Sequence, residues 1–333
     1  VKSEGAEALA RRALVESGLR LAKAGLVARS WGNLSLRLSP RAMAVTPSGI
    51  PYADLREDMI VVVDLETGGW EGDWKPTSER KIHREIYRRR PEVGAIVHTH
   101  QNAASACAAA RVAVEAPWGQ VPCAPYALPG TKKLTRGAVE ALGGGQAVLM
   151  ANHGAVVARE TMDQAFETIL ALEAACADRL AAGAPAGLST RADAPWDPLW
   201  LTPSQAADGG PGVLSRAPYT LAWAGAKGRK VAYLDDFAQL VGPEASWARN
   251  SAGAPYPGRA AARVVLVPGE GAYIAGDDIE ATAMVVEKNA RAAILGAGLG
   301  GAAAIPGWEA QLMRFVYLRS YAKRAVAART PRR

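Results

Sequence analysis

Histidine, phenylalanine and cysteine are scarce in this 333-residue chain, with four, three and three copies. The cysteines, Cys107, Cys123 and Cys176, are scattered and form no Cys-x-x-Cys pair. A disulfide scaffold or a cysteine-rich metal module is therefore excluded, and free buried thiols are expected. No apolar run approaches the roughly eighteen residues that a membrane span requires, so no membrane partner is expected. The N-terminal stretch lacks a signal-peptide layout, which makes a cytoplasmic location the expectation.

A single-sign charge field is also missing. The net charge of +7 comes from 39 Lys and Arg against 32 Asp and Glu, mostly interspersed. One local cluster, Arg88-Arg89-Arg90, suits a helix C-terminus, where cations complement the dipole. The other, at residues 329–333, suits a chain end. No nucleic-acid partner is expected from this pattern. Hydrophobic residues at 49% and charged residues at 21% are ordinary for a soluble globular protein, and the length suggests two domains.

The informative residues are among the scarce ones. Three of the four histidines lie in Val97-His98-Thr99-His100 and Asn152-His153-Gly154. Ala95-Ile96-Val97 reads as a buried strand, and residues two apart on a strand project from one face. His98 and His100 then share one space, and His153, after the apolar run Ala147 to Met150, can reach it from a neighbouring strand. Three neutral imidazoles around one point are the protein half of an open catalytic Zn²⁺ site. Hydrogen-bonded core histidines and a turn histidine are the plainer alternative.

Apolar spacing predicts a helix over residues 5–25 and a hairpin from Leu34 to Thr46. A strand is expected over Asp58 to Asp64, then a helix capped by Thr77-Ser78 and running to about Arg90. The His98 strand, a helix over 101–110, a helix over Gly130 to Leu142, the Ala147 to Met150 strand and a helix from Met162 to Ala182 follow. An antiparallel sheet flanked by helices is the natural outcome. Residues 183–212, rich in Ala, Pro, Gly and Asp, read as a linker. Beyond it, Val265 to Ala272 lines up with Val148 to Ala155, and a long helix, Asp277 to Gly296, follows as it does in the first copy. Glu270 replaces His153, and the later segment has no histidine.

These strings together resemble the class II aldolase/adducin family over roughly residues 5–185. The resemblance rests on Gly32-Asn33-Leu34-Ser35, Thr46 to Pro51, Pro76-Thr77-Ser78-Glu79, His98-Thr99-His100, Val121 to Tyr126, Gly130 to Leu134 and Asn152-His153-Gly154. It implies an α/β fold, three-layer α/β/α with a mainly antiparallel central sheet, here duplicated. The implied domains are a catalytic one over 1–190, a linker over 191–212 and a degenerate second copy over 213–333 without metal ligands. By the same resemblance, His98, His100 and His153 hold a divalent metal ion, Zn²⁺ first among Mn²⁺, Co²⁺ and Fe²⁺, and Glu79 is the acid/base. Asn33, Ser48, Gly49, Thr77 and Ser78 match the positions that hold the substrate's phosphate, and such hydroxyls and backbone donors suit a phosphate or a carboxylate.

The implied activity is a metal-dependent carbon–carbon lyase of retro-aldol type. Its substrate is a small anionic hydroxy-carbonyl compound cleaved through a metal-stabilised enediolate. Decarboxylation of a hydroxy or keto acid uses the same intermediate, and a non-catalytic adducin-like scaffold is the alternative of another class. One departure from the family pattern stands out. The segment Arg111 to Val121 is short and offers Glu115, Trp118 and Gln120, with no tyrosine between His100 and Tyr126. The acid for the leaving group is therefore unassigned, and Tyr317 and Tyr321 are candidates from a neighbour. The family's rings imply a homo-oligomer, most simply a dimer mimicking four domains.

Overall fold

The protein is described from a computed structural model. The structure describes residues 2–27, 29–190, 197–205, 211–249, 262–276 and 278–320. The described residues form two compact units, one within residues 1–176 and one within residues 177–322.

In the first unit a long helix, α1 (Lys2–Lys23), precedes a hairpin of β1 (Asn33–Ser39) and β2 (Ala42–Val45), and then β3 (Val61–Asp64). The order continues α2 (Arg80–Arg89), β4 (Ala95–Thr99), α3 (Asn102–Ala110), β5 (Val114–Ala116), β6 (Gly119–Val121), β7 (Cys123–Ala124) and α4 (Lys132–Leu142). It ends with β8 (Ala147–Met150), β9 (Gly154–Arg159) and α5 (Met162–Ala181), whose last residues count with the second unit. Seven strands form one sheet in the order β3-β2-β1-β4-β9-β8-β7, and every pairing is antiparallel except β7 with β8.

The sheet separates two helical layers. Ile82, Ile86 and Tyr87 of α2 and Leu134, Ala138 and Leu142 of α4 pack with Ile96, Val148, Met150 and Val156. These are alternate strand positions, so they share one face. α1 contacts β1, and α3 contacts β8 and β9. Neither helix contributes to that core, so they take the opposite face.

Three expectations shift locally. Residues Glu57–Met59 form a 3-10 turn, and the strand begins only at Val61. Glu79, not Thr77 or Ser78, takes the N-cap position of α2, while Thr77 Oγ1 accepts from Glu79 N at 3.3 Å. β4 ends at Thr99, which leaves His100 one residue beyond the strand. All three cysteines are free; Cys107 and Cys176 are buried, Cys123 only partly.

The second unit contains β10 (Leu201–Gln205), β11 (Pro211–Ser215), α6 (Pro218–Gly225), α7 (Asp235–Leu240), β12 (Ser246–Trp247), β13 (Ala262–Val267), β14 (Gly271–Gly276), α8 (Ile279–Ala297) and α9 (Gly307–Ser320). Part of the stretch read as a linker is thus ordered sheet, because β10 pairs with β11. Residues 191–196 and 206–210 of that stretch, and Asp277 of the expected second long helix, lie outside the described residues. The five strands run β10-β11-β14-β13-β12, again antiparallel except for β12 with β13.

That order and those senses repeat β1-β4-β9-β8-β7 of the first sheet. Two details repeat as well. Ala103 N and Ala104 N at the start of α3 donate to the carboxylate of Glu173 on α5 at 2.7 and 3.0 Å. Tyr219 N and Thr220 N at the start of α6 donate to that of Glu287 on α8 at 3.0 and 2.6 Å. A Cβ on Gly154 would sit 2.2 Å from Thr99 O, and one on Gly271 would sit 2.1 Å from Ser215 O. Each glycine lets a hairpin approach the neighbouring strand. Among the described residues the second sheet has no counterpart of β2, β3 or α2.

Candidate metal centre

His98 lies on β4 directly across from Asn33 of β1. Its Nδ1 stands 2.8 Å from Ala155 O, and a carbonyl only accepts, so Nδ1 carries the hydrogen. Nε2 is left with its lone pair. His100 follows the strand end and brings its Nε2 within 2.9 Å of His98 Nε2. His153 occupies the tight turn between β8 and β9, and its Nε2 reaches 3.2 Å from His98 Nε2. The two histidine strings, separated by about fifty residues of chain, meet because β9 pairs with β4.

Glu79 completes the group. One carboxylate oxygen is 3.0 Å from His98 Nε2 and the other 3.2 Å from His153 Nε2. Burial raises a carboxyl pKa, but positive charge at His98 and His153 outweighs it and holds Glu79 well below the usual range; a cation held by the neutral rings supplies charge of the same sign at the same place. Asn33 Nδ2 donates to Glu79 Oε2 at 3.0 Å, and Asn33 Oδ1 is buried with no hydrogen-bond partner. Ligand atoms of Glu79, His98, His100 and His153 all lie within 4.8 Å of one another. Electron-rich nitrogens and oxygens crowded this closely repel unless positive charge sits among them. Three imidazoles and a carboxylate are also a donor set that zinc accepts, so the residues fit a divalent cation.

Two loops flank Glu79. Thr77 N donates to Thr46 O at 3.1 Å and Ser48 N to Lys75 O at 2.8 Å, which stitches residues 46–49 to residues 75–77. Gly49 has a φ of +79° and open space around it, while Thr77 is buried and Ser78 exposed. Asn33, Ser48, Gly49, Thr77 and Ser78 therefore gather on the segments adjoining Glu79.

His83, one helical turn after Glu79, bonds Ser35 and is not among the clustered ligand atoms. Its Nδ1 is 2.6 Å from Ser35 Oγ, which is 2.9 Å from Tyr87 Oη. Burial first, then His98, lowers its pKa to about 3, so the ring is neutral. Glu115 and Gln120 of the β5–β6 hairpin bond only each other at the surface, at 3.0 Å. Tyr317 lies on α9, and Tyr321 lies outside the described residues.

Sequence reasoning missed Arg111. Its guanidinium donates twice to Asn152 Oδ1, at 3.1 and 3.0 Å, beside His153. Only the three-dimensional meeting of α3 with the β8–β9 turn reveals this pair.

The family described as Class II Aldolase and Adducin N-terminal domain matches residues 12–180. The chain belongs to this family. Its matched segment holds the whole imidazole cluster, and the second unit lies almost entirely beyond it. A 5-methylthioribulose-1-phosphate/5-deoxyribulose-1-phosphate aldolase of Rhodospirillum rubrum is 34% identical over 177 residues, covering 51% of this chain and 79% of that protein. A 5-deoxy-D-ribulose 1-phosphate aldolase of Bacillus thuringiensis is 32% identical over 164 residues, covering 47% and 77%. Among solved structures, an L-fuculose 1-phosphate aldolase is 33% identical with a TM-score of 0.48, covering 50% of this chain and 82% of that one. This class II aldolase-family chain has no helix among the described residues that is long and apolar enough to cross a membrane.

Proposed function

We propose that the chain is a divalent-metal-dependent lyase that cleaves a small ketose 1-phosphate in a retro-aldol reaction. The observation that carries this reading is the convergence of three imidazole Nε2 atoms with the Glu79 carboxylate. The relatives, whose names are those of sugar-phosphate aldolases, supply the substrate class.

His98, His100 and His153 hold the cation, with His98 fixed in its tautomer by Ala155 O. A bound divalent cation supplies a Lewis acid for the negative charge that develops on the substrate's oxygens. Asn33, Ser48, Gly49, Thr77 and Ser78 hold the phosphate with an amide, hydroxyls and backbone donors. Glu79 moves the proton, because its carboxylate sits between two of the imidazoles and on the side of the anion loops. The absence of tyrosine from residues 111–121 favours a second reading, decarboxylation of a hydroxy or keto acid, in which CO₂ leaves and no hydroxyl has to give up its proton to become an aldehyde.

The second unit is, in this proposal, a degenerate copy of the first that kept the fold and lost the site. The repeated strand order and the repeated carboxylate clamp support it. The assembly proposed is a homodimer.

The test is metal analysis of the purified chain, followed by incubation with 5-deoxy-D-ribulose 1-phosphate. Zinc near one ion per chain and release of dihydroxyacetone phosphate are expected. A metal-free chain, or one that turns over no sugar phosphate, refutes the aldolase reading; release of CO₂ from a hydroxy or keto acid selects the second.

A further inference from the structure

Arg111 and Asn152 are both bent into the left-handed region, with φ of +57° and +62°. Arg29 is the only other non-glycine residue with a positive φ among the described residues. Such backbone costs about 1 kcal/mol or more at each residue and persists where surroundings enforce it. Here the two strained residues hold each other, through the paired hydrogen bonds from the Arg111 guanidinium to Asn152 Oδ1.

The contacts around this pair run along α3. Ala108 O accepts from Arg111 N and also from Asn152 N, each at 3.1 Å. Ser105 Oγ donates to His153 O at 3.4 Å. At its other end, α3 is pinned by Glu173 two residues after Gln101, the residue that follows His100. One rigid helix thus connects the segment that carries His100 with the turn that carries His153.

The second unit separates what the fold needs from what the site needs. It retains the carboxylate clamp at the start of the equivalent helix, through Glu287. It lacks the other clamp. Gly269, φ +75°, stands where Asn152 stands and has no side chain to grip. The residue that ends its helix is Ala226, with an ordinary φ of −69°. The hairpin and the sheet form there without any Arg–Asn pair. The pair accompanies the histidines.

We infer that Arg111 is a positioning residue for the metal centre: by gripping Asn152 it fixes the turn that aims His153 at His98 and His100. The inference rests on the metal-site reading above. A partner that orients a ligand without touching the ion is worth roughly 10- to 100-fold in metal affinity.

Competition titration of the full chain against a chromophoric zinc chelator tests this, with thermal melting recorded for every variant. Arg111→Ala and Asn152→Gly each lower Zn²⁺ affinity by about 10- to 100-fold. Glycine adopts φ near +60° without strain, so Asn152→Gly removes the grip and spares the backbone. The double variant binds no more weakly than either single one, because both remove one contact. Arg111→Lys, which can still donate one hydrogen bond, recovers part of the loss. Wild-type affinity in Asn152→Gly, or losses that add in the double variant, overturns the positioning role while the metal site stands. An unaltered chain that binds no zinc overturns both.

Discussion

Glu79 and His83 stand one helical turn apart, and each grips a different residue of the same strand. Asn33 bonds Glu79 at 3.0 Å and Ser35 bonds His83 at 2.6 Å. Asn33 and Ser35 are two apart on β1 and share a face. Tyr87, the next residue in the series, adds a third link through Ser35 at 2.9 Å. Three residues one turn apart, the N-cap Glu79 and then His83 and Tyr87 of α2, are thereby zipped in register onto β1, and only the first meets the imidazoles.

Replacing Glu79 by Gln separates shape from proton transfer. The amide keeps the volume and a partner for Asn33, so the fold and most of the bound metal are retained. Turnover falls by about 10²- to 10⁴-fold, the usual contribution of a positioned acid/base. Steady-state kinetics with metal content measured on the same samples checks this. Near-normal kcat would assign the proton to another group.

His83 governs acid stability. Its folded pKa of about 3 lies below the ordinary 6.5, so the unfolded chain binds more protons between those values. Its contribution is complete above about pH 6.5 and is lost as pH falls. Going from pH 7 to pH 5 costs about 2 kcal/mol through this one ring. Urea unfolding at the two pH values should show that loss, and His83→Gln should remove most of it. His83→Ala leaves metal content unchanged; a fall in bound zinc would make His83 part of the centre.

Much of this was legible from spacing. The apolar runs at Ala95 and Ala147 announce two strands, and period-two spacing brings His98 and His100 to one space even though the strand stops at Thr99, one residue short of His100. The long helix after each hairpin, and the match of residues 148–155 with 265–272, point toward the strand order that the two sheets share. What was not legible depends on contacts remote in sequence. Arg111 reads as a basic residue after a helix until Asn152 is beside it. Glu173 and Glu287 read as helix-surface carboxylates until the starts of α3 and α6 dock on them. The stretch before β11 reads as a linker because Pro203, Gly209 and Gly210 dilute any strand pattern, yet Leu201–Gln205 pairs with Pro211–Ser215.

Gly154 tests the hairpin geometry behind His153. A methyl group there meets Thr99 O at 2.2 Å, a backbone atom that cannot swing aside as a side chain would. Gly154→Ala must part the start of β9 from the end of β4, between His153 in the preceding turn and His98 on the strand. A destabilisation of about 2 kcal/mol or more is expected, together with weaker zinc binding. Equal melting temperatures for the two forms would show that the strand ends adjust freely.

The paired carboxylates give the last prediction, because they ask the same structural question in both units. Glu173 and Glu287 each accept two backbone N–H groups at the start of a helix. Glutamine in either place offers one acceptor and turns an N–H toward the other donor. Each substitution therefore costs about 1–3 kcal/mol. The consequences for the metal centre differ. Glu173 anchors the helix that follows His100, so Glu173→Gln should lower zinc affinity as well as melting temperature. Glu287 belongs to the second unit, which has no histidine, so Glu287→Gln should lower melting temperature while the affinity and kcat of the remaining folded chain hold. Parallel zinc titration, kinetics and light scattering on both variants decide the matter. If kcat collapses in Glu287→Gln while the chain remains folded and zinc stays bound, the second unit supplies a working part of the active site.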